Sequence, residues 1–158
     1  MDRSLQTGVH FGLTSGVITT LGLIVGLHAG THSLRAVAGG ILTIAIADAF
    51  SDALGMHISE EAENVHTTVE VWIATGATFL TKFLMALTFL VPVLLWELPT
   101  AILLGVVWGL GVVTVLSYQL AKAQGVPSWK VIGEHLVIAG AVITATHFVG
   151  DWVAVTFR

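Results

Sequence analysis

Five mostly apolar runs, each about as long as a bilayer is thick, constrain this chain more than any other feature of its sequence. They are Gly8–His28, Ala36–His57, Val71–Trp96, Ala101–Lys122 and, approximately, Gly133–Val155. A helix needs about 20 mostly apolar residues to cross the hydrocarbon core, and only helices or closed barrels satisfy their backbone polar groups there. The runs predict an all-α fold, an integral membrane bundle of five transmembrane helices in a single domain. Composition agrees: charged residues are 10% of the chain and apolar residues 55%, with a mean hydropathy of +0.91. A soluble domain carries about 25% charged residues.

The breaks fall at HAGTHSLR, SEEAENVHTTVE, WELP and KAQGVPSWK, with Pro99 and Pro127 inside them. Trp72, Trp96 and Trp152 suit interfacial positions, and Pro92 is expected to kink the third span near its end. Arg3, Lys122 and Lys130 on one side outnumber Arg35 and Arg158 on the other. That bias favours a cytoplasmic N-terminus, with the acidic connector of about residues 58–70 also cytoplasmic. The N-terminal dozen residues lack the basic, apolar and small-residue order of a removable signal peptide. Six scattered Lys and Arg give no nucleic-acid footprint, and the absence of Cys excludes thiolate metal sites and disulfides.

Small residues repeat every fourth position on the first span, at Gly8, Gly12 and Gly16 and again at Gly22 and Gly26. Such a stripe serves close packing within the monomer or a homodimer interface through helix 1. AGGILT at 38–43 echoes AGAVIT at 139–144, and GVITTL at 16–21 echoes GVVTVL at 111–116. An inverted repeat of helices 1–2 and 4–5 would explain both echoes.

Ionisable groups inside the spans carry the functional signal, because each costs about 2.5–3.5 kcal/mol at a helix centre on insertion scales. Asp48, Asp52 and Met56, four apart, share one face of the second helix. His147 and Asp151 do the same on the fifth, and Lys82 sits in the third. With the N-terminus inside, the order from outside inward is Asp151, then His147 with Asp48, then Asp52, then Met56. Beyond Met56, His57 with Glu61, His66 with Glu70, and Glu60 with Glu63 recur at helical spacing and offer imidazole and carboxylate ligands at an inner mouth. Oxygen, imidazole and one thioether suit Fe²⁺ or Mn²⁺. The expected function is a secondary transporter of a divalent metal cation, exchanging it for protons. The competing reading is a non-transporting membrane protein that binds metal or a partner through its acidic connector, with Lys82 locked to Asp48 or Asp52. An enzyme is not expected: Asp48 and Asp52 share one helix, and Ser15 lacks a nucleophile-elbow pattern. No cofactor is expected beyond the metal itself.

FGLTSGVITTLGLIVGL on the first helix resembles the G-L-N-D-G-L-V-T-T-type signature of the vacuolar iron transporter family. AGGILTIAIADAFSDALGMHISEEAE resembles that family's second helix with its S-M-x-x-G-E-Y core, FLMALTFLVPVLL its third, and GEHLVIAGAVITATHFVGDW its closing segment. The resemblance implies a short member of that family, a dimer of five-helix subunits exporting Fe²⁺ or Mn²⁺ from the cytosol against protons, in a prokaryotic cytoplasmic membrane. On that alignment the family's first-helix acid falls on Ser15, and its second-helix Met and Glu fall on Asp48 and Asp52. Its cytoplasmic metal-binding helices shrink to SEEAENVHTTVE, and Lys82 stands where an apolar residue is expected. Lys82 and Ser15 are therefore candidate coupling or charge-partner residues.

Overall fold

A computed structural model describes residues 3–157; Arg158, counted above toward the orientation, lies outside them. Among the described residues every regular element is a helix: α1 (Arg3–Thr31), α2 (Leu34–Ala62), α3 (Thr68–Thr88), α4 (Leu90–Leu95), α5 (Leu98–Gln124) and α6 (Ser128–Thr156). With α3 and α4 taken as one span, five helices are long and apolar enough to cross a membrane. The chain is a multi-pass membrane bundle.

The helix boundaries follow local chemistry. Ser33 caps α2 by accepting from the Ala36 amide, and Gly125 ends α5 at φ 68°, a left-handed value that suits glycine. The third span breaks at Phe89 because Pro92 has no N–H for the Thr88 carbonyl, and its ring crowds that carbonyl. The expected kink is thus a full interruption. Thr88, just before it, donates to the Met85 carbonyl at 2.6 Å and accepts from Trp108 Nε1 of α5 at 3.0 Å.

α1 is the central helix. It packs against α3, α6, α2 and α5, and its largest interface is with α3. Both glycine stripes pack against other helices of the chain, the first buried throughout and the second half-buried at Gly26. A Cβ at Gly12 would lie 2.6 Å from the Thr78 carbonyl, and one at Gly16 only 3.3 Å from Lys82 Cα. Gly22 and Gly26 face Val142 and Thr146 of α6 in the same way. In lipid, backbones that approach this closely gain the van der Waals contact that drives association.

The packing does not reproduce the expected repeat. α1 packs broadly on α3, whereas α5, its counterpart in such a repeat, packs on α6, α1 and the short α4. Val17, Leu21, Ile24, Ile41, Phe89 and Val93 form the centre of the core, and α6 is the most lipid-exposed span.

Candidate functional site

The α1–α3 contact delivers Lys82 to the middle of the bundle. Asp48 is the central residue of α2, and Ser15 and Lys82 lie within two residues of the centres of their own spans. The three helices therefore bring their polar groups together near the bilayer midplane. Lys82 Nζ stands 2.6 Å from Asp48 Oδ2, donates to Asp52 Oδ2, and donates to Ser15 Oγ at 2.8 Å. Ser15 Oγ donates in turn to Asp52 Oδ2 at 2.6 Å. Lys82 is 1% exposed, whereas the side chains of Asp48 and Asp52 are 26% and 21% exposed. The ammonium is enclosed and the carboxylates form its rim.

The two carboxylates are not equivalent. Asp52 accepts hydrogen bonds from both Ser15 and Lys82. Asp48 Oδ2 touches Lys82 by charge but is buried with no hydrogen bond of proper geometry. Asp48 also lines a groove of about 690 Å³ between α1 and α2, beside Thr19, Thr43 and Ser51. Through that groove the cluster meets the bundle surface.

Other candidates lie elsewhere. His147 and Asp151 form their own i, i+4 pair at 3.4 Å, with both side chains about half exposed on α6. α6 packs on α1 and α5, while α2 packs on α3, α1 and α4, so α1 stands between the two acidic helices. The single file from Asp151 through His147 to Asp48 is not assembled. Met56 is buried in the α2 stripe that also holds Ala49, Ala53 and Glu60.

At the end of the bundle where α1 begins, α2 runs on to Ala62 and a short turn through Asn64 (φ 54°) leads into α3. His66 Nε2 approaches Glu60 at 3.5 Å and Glu63 at 3.4 Å, beside a cavity of about 390 Å³ also lined by Arg3, Ser4 and Thr7. Glu70 does not pair with His66 as its spacing suggested. Its carboxylate accepts from the Thr67 amide at 2.7 Å and the Thr67 hydroxyl at 2.8 Å, and Thr67 accepts from the Glu70 amide, a capping box for α3. The His57 ring lies tilted against Trp72, and its Nδ1 contacts Thr75 Oγ1 at 3.0 Å rather than pairing with Glu61. Because the Thr75 hydroxyl donates to the Val71 carbonyl, it accepts from His57 Nδ1. Ser117 sets His135 in the same way, donating to the Val113 carbonyl at 2.6 Å.

Sequence reasoning missed the capping box, although T-x-x-E ahead of an apolar run is its signature. It also missed the two hydroxyl-set imidazoles, for which sequence carries no long-range signal. Among the described residues no three His, Asp or Glu side chains converge so as to hold a metal ion by themselves. No protein-family model matches the chain, nor does any curated protein or any solved structure.

Proposed function

We propose that the chain is a secondary transporter of a divalent metal cation, Fe²⁺ or Mn²⁺, exporting it from the cytosol in exchange for protons. The observation that supports this reading is the pair of carboxylates at mid-membrane, one of them in the wall of the α1–α2 groove. A carboxylate binds either a proton or a cation, so one group links the two flows, and transporters place such groups near the midplane. Glu60, Glu63 and His66 would concentrate cations at the cytoplasmic mouth, under an orientation with the N-terminus inside a prokaryotic cytoplasmic membrane. The motif resemblance to the vacuolar iron transporter family points the same way. A homodimer through α1 would use the face bearing Leu23 and Leu27, which border both open grooves beside that helix.

One observation favours the second reading, a membrane protein that does not transport: Lys82 engages both acids at once. Mn²⁺ uptake into proteoliposomes with an internal pH dye separates the two. Transport predicts Mn²⁺ flux with opposed proton movement in the wild type, and loss of both in Asp48→Ala and Asp52→Ala. Flux in those variants at the wild-type rate, or no flux in the wild type, would overturn the transport reading.

A further inference from the structure

We propose that the cavity between α1, α5 and α6 binds the head ring of a lipid-soluble hydroquinone, with His135 accepting from one of its hydroxyls. The site lies across α1 from the carboxylate cluster and does not depend on the transport reading.

The cavity holds about 300 Å³, and Ile18, Val113 and Leu116 make its walls largely apolar. An apolar cavity of about 150 Å³ takes a benzene molecule. This one has room for a substituted ring and the start of a tail. His135 stands about 10 Å along α6 from that helix's midpoint, whereas the hydrocarbon core reaches about 15 Å from its centre. Thr14, on the rim, is exposed and lies within about 5 Å of the midpoint of α1. The cavity therefore opens at a depth where the solvent is lipid, and its occupant is a neutral molecule that dissolves there.

Two polar groups in this apolar site keep bonding capacity. His135 Nδ1 is 2.7 Å from Ser117 Oγ, a hydroxyl only 1% exposed that donates to the Val113 carbonyl at 2.6 Å. Ser117 therefore accepts from Nδ1. Nε2 is the remaining polar atom of the ring, and in the neutral imidazole it is an acceptor. Thr14 supplies the complementary donor. Thr19 and Thr20 on the same helix donate to the carbonyls of Ser15 and Gly16, four residues back, whereas the Thr14 hydroxyl makes no such bond among the described residues. In hydrocarbon an unpaired polar group is costly, and no water is at hand to pair it.

Pairing both groups sets the ligand class. Nε2 calls for a hydroxyl hydrogen, and Thr14 calls for an oxygen that accepts. The two residues lie toward the same end of the bundle and differ in depth by about 6 Å, the rise of four helical residues. A flat ring with a hydroxyl at each end meets both, and its hydrocarbon tail runs out into lipid. An acyl chain fills the walls and pairs neither group. The oxidised quinone serves Thr14 but leaves Nε2 without a donor.

The test titrates the purified full chain in nanodiscs with decylhydroquinone, kept reduced by dithionite, which spares a chain without cysteine. Binding is read from the nitrogen NMR shift of His135 Nε2 and from the rise in thermal midpoint. Decylquinone (without dithionite) and the dimethyl ether of the hydroquinone lack the hydroxyl hydrogens. Both should bind on the order of fivefold or more weaker, the ratio expected for one hydrogen bond. His135→Leu should lose the same factor for the hydroquinone and leave binding of the ether unchanged. Thr14→Val should weaken hydroquinone and quinone alike. No ligand-dependent shift in the wild type would overturn the proposal. Equal binding of hydroquinone and ether would overturn it too, since that marks an apolar cavity filled by any tail. His10 borders the same cavity from α1, and a loss in His10→Leu with none in His135→Leu would remove the assigned acceptor. The ligand comparison needs only the wild type, so a variant that fails to fold leaves the proposal open to refutation.

Discussion

Ser15 and Asp52, thirty-seven residues apart, are joined by a 2.6 Å hydrogen bond at the middle of the bundle. The same hydroxyl accepts from Lys82, so one small side chain on α1 closes a ring with a carboxylate on α2 and an ammonium on α3. Hydrogen bonds to charged groups contribute about 1.5–3 kcal/mol when both partners are sheltered. In membranes the measured range is lower, about 0.6–2 kcal/mol, because the unfolded chain finds other partners. Ser15→Ala should therefore lower stability by about 1–2 kcal/mol, measured by denaturant unfolding in bicelles. An unchanged stability would mean that the ring does not hold the helices together.

The two acids should respond differently to neutralisation. Asp52→Asn removes the negative charge shared by Ser15 and Lys82 and replaces one carboxylate oxygen by an NH₂ donor, and should cost about 2–4 kcal/mol, as for breaking a buried charged pair. Asp48→Asn takes away the carboxylate that lacks a proper hydrogen bond and brings the cluster from one negative charge to neutrality. Its stability should stay within about 1 kcal/mol of wild type, while cation flux is lost. Equal destabilisation by both substitutions would show that Asp48 is a structural partner of Lys82 and remove its separate role at the groove.

The spans were legible because lipid imposes a length and a polarity on every crossing helix, and the runs from Gly8 to Val155 obey it. Pro92 and the breaker clusters placed the interruptions. The four-residue spacing of Asp48 and Asp52 put both on one face of α2, and Lys82 stood out as a neutralising partner. Helix arrangement was less legible. Lipid tails are as apolar as leucine, so hydrophobicity does not sort which helix meets which, and shape decides. The Gly12–Thr78 and Gly16–Lys82 approaches therefore appear only in three dimensions, as does the position of α1 between α2 and α6 that separates His147 and Asp151 from the cluster. Glu70 is a case of the opposite kind. Its capping signal lay in the sequence, and its spacing from His66 suggested a ligand instead.

Gly12 and Gly140 offer a matched pair for the packing argument. A methyl group at Gly12 would press on the Thr78 carbonyl at 2.6 Å and on Lys82 N at 3.2 Å, backbone atoms that cannot yield without moving α3. Gly12→Ala should cost about 1–3 kcal/mol, the usual range for overpacking, and should weaken the Ser15–Asp52–Lys82 ring by pushing α3 from α1. A Cβ at Gly140 meets nothing within 4 Å. Gly140→Ala should be neutral or stabilising by up to about 1 kcal/mol through helix propensity. Unfolding of both variants in the same bicelles reads the contrast directly, and similar costs would contradict the α1–α3 interface.

Glu70 lets capping and metal ligation be told apart. In the structure its carboxylate accepts from the amide and hydroxyl of Thr67, at 2.7 and 2.8 Å, and so fixes the first turn of α3. Glutamine serves the same position of a capping box, since its amide oxygen reaches the same donors. Glu70→Gln should therefore change stability little, whereas Thr67→Ala should cost about 0.5–2 kcal/mol as the N-cap acceptor is lost. A metal ligand would behave in the reverse way: the amide would weaken cation binding at the connector, and the Thr67 change would leave it alone. Mn²⁺ titration of the two variants alongside Glu60→Gln and Glu63→Gln reads that difference. Binding should fall in the latter pair, whose carboxylates face His66, and stay at the wild-type level in Glu70→Gln. A loss in Glu70→Gln comparable to theirs would return Glu70 to the ligand set and make its capping contact incidental.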